Sequence, residues 1–135
     1  MPEPRTPPRP QSFLAFDYGT RRIGVAVGNS LLRRAQPLTT VAAAGDAWPA
    51  GVERLIGQWQ PDALVVGIPL HPDGAPHANT RRAQRFARRL HGRYGLPVHE
   101  VDERYTSTEA LASGAADVDA AAAALILEQF LRSAP

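Results

Sequence analysis

Five short apolar or β-branched runs punctuate the chain, and their spacing limits the fold more than any other feature. Phe13-Leu14-Ala15-Phe16 and Ile23-Gly24-Val25-Ala26-Val27 are separated only by a polar turn, which reads as a β-hairpin. Pro37-Leu38-Thr39-Thr40-Val41 reads as a third strand. Ala63-Leu64-Val65-Val66-Gly67-Ile68 is continuously apolar, as a strand covered on both faces must be. Pro97-Val98-His99-Glu100-Val101 is the fifth strand. From the third strand onward, helices separate the strands. Residues 46–60 carry Val52, Leu55, Ile56 and Trp59 at helical spacing, with Asp46 as the expected N-cap and Pro61 as the break. Further helices are expected at about 78–94, 106–112 and 119–132. Three successive strands followed by alternating helix and strand make an α/β protein with a mixed sheet and flanking helices.

The chain of 135 residues fits one domain, expected over residues 12–135. Residues 1–11, with five prolines and two arginines, are expected to be a disordered tail. There is no cysteine, which excludes disulfides, thiolate zinc sites and a cysteine nucleophile. No stretch approaches the roughly 18 apolar residues of a membrane span, and the proline-rich opening is unlike a signal peptide; a cytoplasmic protein is expected. No Ser/His/Asp arrangement and no complete Walker-type phosphate loop is present. His71, His77, His91 and His99 lack metal-ligand spacing and are expected at the surface.

Every one of the 15 basic residues is arginine, and against 13 acids the net charge is only +2, so distribution matters more than the total. Arg81, Arg82, Arg85, Arg88, Arg89 and Arg93 fall within an arc of roughly 140° on the helix at about 78–94. Ala83, Phe86, Ala87, Leu90 and Tyr94 lie on another face. One face therefore packs on the sheet while the other is a solvated ridge or a track for a nucleic-acid backbone. Arg21, Arg22, Arg33 and Arg34 could extend the ridge, unless Arg22 braces neighbouring acids. Gly19 and Gly24 flank the first turn, where turn geometry is the expected reading and close approach of the backbone to a phosphate the alternative.

Three acids sit where α/β folds place chemistry: Asp17 ends the first strand, Glu103 ends the fifth, and Asp119 opens the last helix. Carboxylates suit hard divalent ions, and an ion pair roughly 4 Å apart can serve phosphodiester hydrolysis. Each acid also has a plain structural reading, as a turn residue, a surface ion pair or a helix cap.

Four motifs, in order, resemble a known family. Phe16-Asp17-Tyr18-Gly19-Thr20-Arg21-Arg22-Ile23-Gly24-Val25-Ala26-Val27 resembles the opening motif of the YqgF (RuvX-type) proteins. The likeness continues through Val66-Gly67-Ile68-Pro69-Leu70 with Asp73-Gly74, through Val101-Asp102-Glu103-Arg104-Tyr105-Thr106-Ser107, and through Asp119-Ala120-Ala121-Ala122-Ala123. The family is Holliday-junction-resolvase-like and associated with pre-16S ribosomal RNA processing. The resemblance implies a ribonuclease H-like mixed five-stranded sheet and a metal-dependent nuclease acting on phosphodiester bonds. It implies Asp17, Glu103 and Asp119 as catalytic residues and ligands of Mg²⁺ or Mn²⁺, in a two-ion site. Asp117 precedes a similar Ala-Ala pair, but only Asp119 keeps the downstream Ile-Leu in phase. Arg22, Arg81, Arg82, Arg85, Arg88, Arg89 and Arg104 are the expected nucleic-acid contacts. The implied partner is RNA, in ribosomal precursor particles; the alternatives are a DNA four-way junction or a non-catalytic nucleic-acid-binding module. Asp17-Tyr18-Gly19-Thr20 also resembles a phosphate motif of actin-like ATP-binding proteins, which need two such domains. The chain departs from the family at Gly28-Asn29, where Ser-Asp is usual, and in a shorter stretch before Asp119.

Overall fold

The computed structural model describes residues 10–70, 73–75, 78–103 and 117–133. The helix expected at 106–112, together with Arg104, His71 and His77, lies outside the described residues, as does most of the N-terminal tail. Gln11, placed in that tail, is tied to the fold: its N–H donates to Ser30 Oγ at 2.9 Å and its carbonyl accepts from the Ser30 N–H.

All five expected strands form, as β1 (Ser12–Asp17), β2 (Arg22–Asn29), β3 (Ala35–Ala42), β4 (Ala63–Ile68) and β5 (Val98–Asp102). Their order across the sheet is β3-β2-β1-β4-β5. The β1–β2 and β2–β3 pairs are antiparallel, whereas β1–β4 and β4–β5 are parallel. Pro37 falls on the edge strand β3, beside a register shift between Val25 and Ala26, where a missing N–H is tolerated. The helices are α1 (Trp48–Trp59), α2 (Thr80–Tyr94) and α3 (Val118–Ser133).

Strand alternation divides the core between the two faces of the sheet. Leu14, Phe16, Ile23, Val25, Leu64 and Val66 point to the side of α1 and α2. There Phe86 makes edge-to-face contacts with Phe16 and Trp48, at 5.8 Å and 5.0 Å between centroids, and stacks on Tyr18 at 5.0 Å. Phe13, Ala15, Val65 and Val101 point the other way, onto Ile126, Leu127 and Leu131 of α3. On β2 that second face reads Gly24, Ala26 and Gly28, and α3 answers with buried Ala120, Ala123 and Ala124. Small residues on both sides bring the helix axis close to the sheet. A Cβ on Gly28 would sit 3.0 Å from Leu127 Cδ2.

Two expectations are corrected here. Asp46 does not cap α1: it ends a 3-10 turn with a positive φ of 61°, and its carboxylate pairs with Arg89 at 3.5 Å. The residue before α1 is Ala47, which makes no side-chain cap, and Pro49 supplies the preset φ of the first turn. Gly24 does not belong to the first turn: it lies inside β2, paired with Asp17. Gly19 does serve the turn, since a Cβ there would lie 2.5 Å from the Arg22 carbonyl oxygen.

Candidate active site

Asp17 is the last residue of β1, and alternation turns its side chain toward α3, opposite to Phe16. Its register partner Gly24 has no side chain, and the space is taken by the backbone of Asp119 and Ala120. The start of α3 therefore rests beside Asp17. Glu103 follows β5, and Gly67 of the neighbouring β4 makes room for it: a Cβ on Gly67 would meet the Glu103 carboxylate, with Cδ 2.8 Å away. Gln129 of α3 donates to the Asp102 carbonyl at 3.0 Å, fixing the chain immediately before Glu103. Two glycines on the strands flanking β1, Gly24 on β2 and Gly67 on β4, thus let α3 and Glu103 close in beside Asp17 and form a hollow at the carboxyl ends of β1, β4 and β5.

The electrostatics of this hollow are unfavourable for two anions. Burial, and then the negative charge of Asp17, pushes Glu103 up to about 8 from an ordinary value of 4.5. Burial also raises Asp17, with Asp119 adding to the effect and the hydrogen bond from Glu103 opposing it. One proton shared across the pair, held mainly on Glu103, satisfies both directions. Glu103 Oε1 is buried with no hydrogen-bond partner among the described residues.

Asp119 stands at the rim and pairs with Arg22 Nε at 3.3 Å. Among the described residues, no group of three or more acid or histidine side chains is placed to hold a metal ion as it stands. The capping role open to Asp119 is taken by Asp117. Its Oδ1 accepts the Ala120 N–H at 3.0 Å and the Thr40 hydroxyl at 2.6 Å, and the carbonyl of Asp117 starts the helix ladder. The Thr40 hydroxyl, then the Ala120 N–H, holds the Asp117 carboxyl below the usual range. Asp117→Ala is expected to cost about 1 kcal/mol in urea unfolding. It should also lower activity, because the first turn of α3 carries Asp119. A full-strength activity with the cap removed would mean that this turn does not position the site.

The expected arginine ridge is present: Arg81, Arg82, Arg85 and Arg88 are exposed on α2. Arg89 is only partly exposed, with its guanidinium 5.0 Å over the Trp48 ring. His91 and His99 are exposed; His91 Nδ1 lies 3.0 Å from the Leu96 carbonyl and His99 packs on Phe130.

A family model described as "RuvX: Holliday junction resolvase" matches residues 11–133. The chain belongs to the RuvX family. A protein of Polaromonas sp. strain JS666 named "Putative pre-16S rRNA nuclease" is 66% identical over 93% of this chain and 91% of its own. One of the same name from Albidiferax ferrireducens is 65% identical over 91% of this chain and 79% of its own. Among solved structures, T. thermophilus RuvC in complex with a Holliday junction substrate superposes with a TM-score of 0.59 at 16% identity, covering 91% of this chain and 94% of RuvC. That likeness establishes the RuvC-like, ribonuclease H-like fold, as the resemblance in the sequence implied. No described helix is long and apolar enough to cross a membrane.

Among the residues that organise this RuvX site, sequence reasoning gave no role to Gly67 and assigned Gly24 to turn geometry instead of the close seat of α3. The available signal was a glycine inside an otherwise branched apolar strand, which marks a close approach.

Proposed function

We propose that this RuvX-family chain is a divalent-metal-dependent nuclease that hydrolyses phosphodiester bonds in the 5′ leader of pre-16S rRNA. The observation that carries the reading is the Asp17–Glu103 pair: two facing carboxylates in one hollow, both with raised pKa, with a buried oxygen that has no partner among the described residues. Carboxylates in that condition suit a hard cation, which would replace the shared proton. Asp17 and Glu103 would hold it, and Asp119 would join them when its carboxylate leaves Arg22. A bound ion of this kind supplies activated water and stabilises the departing oxygen. Arg22, freed from Asp119, would then face the substrate phosphate, and the exposed arginines of α2 would follow the backbone. Mg²⁺ and Mn²⁺ are the ions of suitable chemistry. A ribosomal precursor places the reaction in the cytoplasm.

The family's own description favours a second substrate, a four-way DNA junction. A parallel assay separates the two: labelled pre-16S leader RNA and a labelled junction, each with Mg²⁺, Mn²⁺ or EDTA. Metal-dependent cutting of the leader with the junction intact is the expected result. Cutting of the junction alone would replace the RNA reading. Binding of both without cutting under any metal would reduce the protein to a nucleic-acid-binding module.

A further inference from the structure

A second concavity lies across β1 from the acid hollow. It has a volume of about 330 Å³, within the range of pockets that take small ligands. Tyr18 and Thr20 form one wall, the loop at Gly45–Asp46 another, and α2 contributes Arg82, Arg85 and Arg89. The arginines do not have equal freedom. Arg89 is held between Asp46 and Trp48 and stiffens the wall. Arg82 donates through one nitrogen to Asn79 Oδ1 at 3.0 Å, leaving the rest of its fork. Arg85 is exposed and makes no ion pair or hydrogen bond among the described residues. Asp46, the acid of the lining, is already paired with Arg89, so among the described residues the cavity carries uncompensated positive charge. Tyr18 presents a half-buried ring there, backed on one face by Phe86.

We propose that this cavity is a nucleotide subsite, in which Arg82 and Arg85 grip a phosphate of the substrate strand and Tyr18 receives its unstacked base. The assignment rests on the nuclease reading for its substrate and refines it. Guanidinium forks match phosphate oxygens, and aromatic rings hold splayed bases with little regard to sequence. The position adds the functional link. Asp17 and Tyr18 are consecutive, and strand alternation sends one to the acid hollow and the other to this cavity. A strand crossing the carboxyl end of the sheet can therefore lodge one nucleotide here while a nearby phosphodiester reaches the acids. The continuous ridge seen in the helix periodicity resolves into two parts: Arg82 and Arg85 inside the cavity, Arg81 and Arg88 outside it.

Trp48 lines the cavity and supplies a probe. In a Trp59→Phe background of the full chain, in EDTA, the emission of Trp48 is followed during titration with uridine 5′-monophosphate, uridine or inorganic phosphate. The nucleotide should give a saturable change, with uridine and phosphate each at least about tenfold weaker. Arg85→Gln should weaken nucleotide binding about tenfold, as loss of a charge-assisted contact does. Arg88→Gln should leave mononucleotide binding within about twofold, because Arg88 lies outside the cavity and reaches only a longer strand. In cleavage, Arg85→Gln should raise KM with kcat retained. Equal losses in the two variants would overturn the subsite in favour of a diffuse ridge. Phosphate binding as tightly as the nucleotide would overturn the base contact. No response to the nucleotide, in protein that still binds RNA, would overturn the assignment altogether. The titration needs no hydrolysis, so a silent cleavage assay would remove the nuclease reading and leave the subsite result standing.

Discussion

Gly24→Ala is expected to destabilise the protein by at least about 3 kcal/mol and to abolish cleavage, although it adds only one methyl group. Gly24 is buried in β2, and a Cβ there would run into the backbone of Asp119 and lie 2.9 Å from the Ala120 nitrogen. Neither neighbour is the end of a flexible side chain. Relief requires α3 to move away from the sheet as a body, which opens the contacts of Ala123 and Ala124 with Ala26. The same shift carries Asp119 away from Asp17. Urea unfolding measures the first effect and a cleavage assay the second. A variant of unchanged stability and activity would mean that α3 does not need its close seat on β2.

Glu103→Gln is expected to change stability in a pH-dependent way. In the metal-free protein Glu103 keeps its proton up to about pH 8, whereas in the unfolded chain it loses it near 4.5. The native state therefore binds more protons than the unfolded state between these limits, and stability falls as pH rises through them. Asp17 shifts in the same sense. Glutamine mimics the protonated acid and cannot ionise. At pH 5 the variant and the wild type should unfold at similar urea concentrations. Above pH 8 the variant should be more stable, by on the order of 2 kcal/mol once solvent access at the rim is allowed for. Mn²⁺ or Mg²⁺ should stabilise the wild type increasingly with pH, since the ligands must be deprotonated, and should do little for the variant. A wild type whose stability is flat from pH 5 to 8.5 without metal would show that the pair is not a strained anion site.

Much of the architecture could be read from residue pattern. Runs such as Phe13–Phe16 and Ala63–Ile68 declare themselves as strands, and Phe86, Ala87 and Leu90 declare the buried face of α2. Periodicity could not order the strands, because pairing β1 with both β2 and β4 is a property of chain path. Resemblance supplied the mixed five-stranded sheet, while the strand order came from the structure; resemblance also separated Asp119 from Asp117. Local spacing alone could not: both acids precede alanine pairs, and only the structure shows Asp117 occupied by Thr40 and the Ala120 N–H. Asp46 was misread because aspartate favours helix caps, while here a left-handed turn aims it at Arg89, distant in sequence. The convergence of Asp17 and Glu103 rests on side chains that are missing, at Gly24 and Gly67, and an absent atom has no periodicity. The cavity beside Arg85 depends on Tyr18 and the Gly45–Asp46 loop arriving from other parts of the chain.

Single-turnover cleavage of pre-16S leader RNA by the wild type and by Asp17→Asn, in Mg²⁺ or Mn²⁺ and at RNA concentrations that saturate both, tests the central claim most directly. The account predicts equal RNA affinity, no cleavage in EDTA, and a rate for the variant lower by at least about a thousandfold, as expected when a ligand of the ion that stabilises the reacting phosphate is lost. Cleavage by Asp17→Asn at the wild-type rate would contradict it and would place the chemistry away from the Asp17–Glu103 pair.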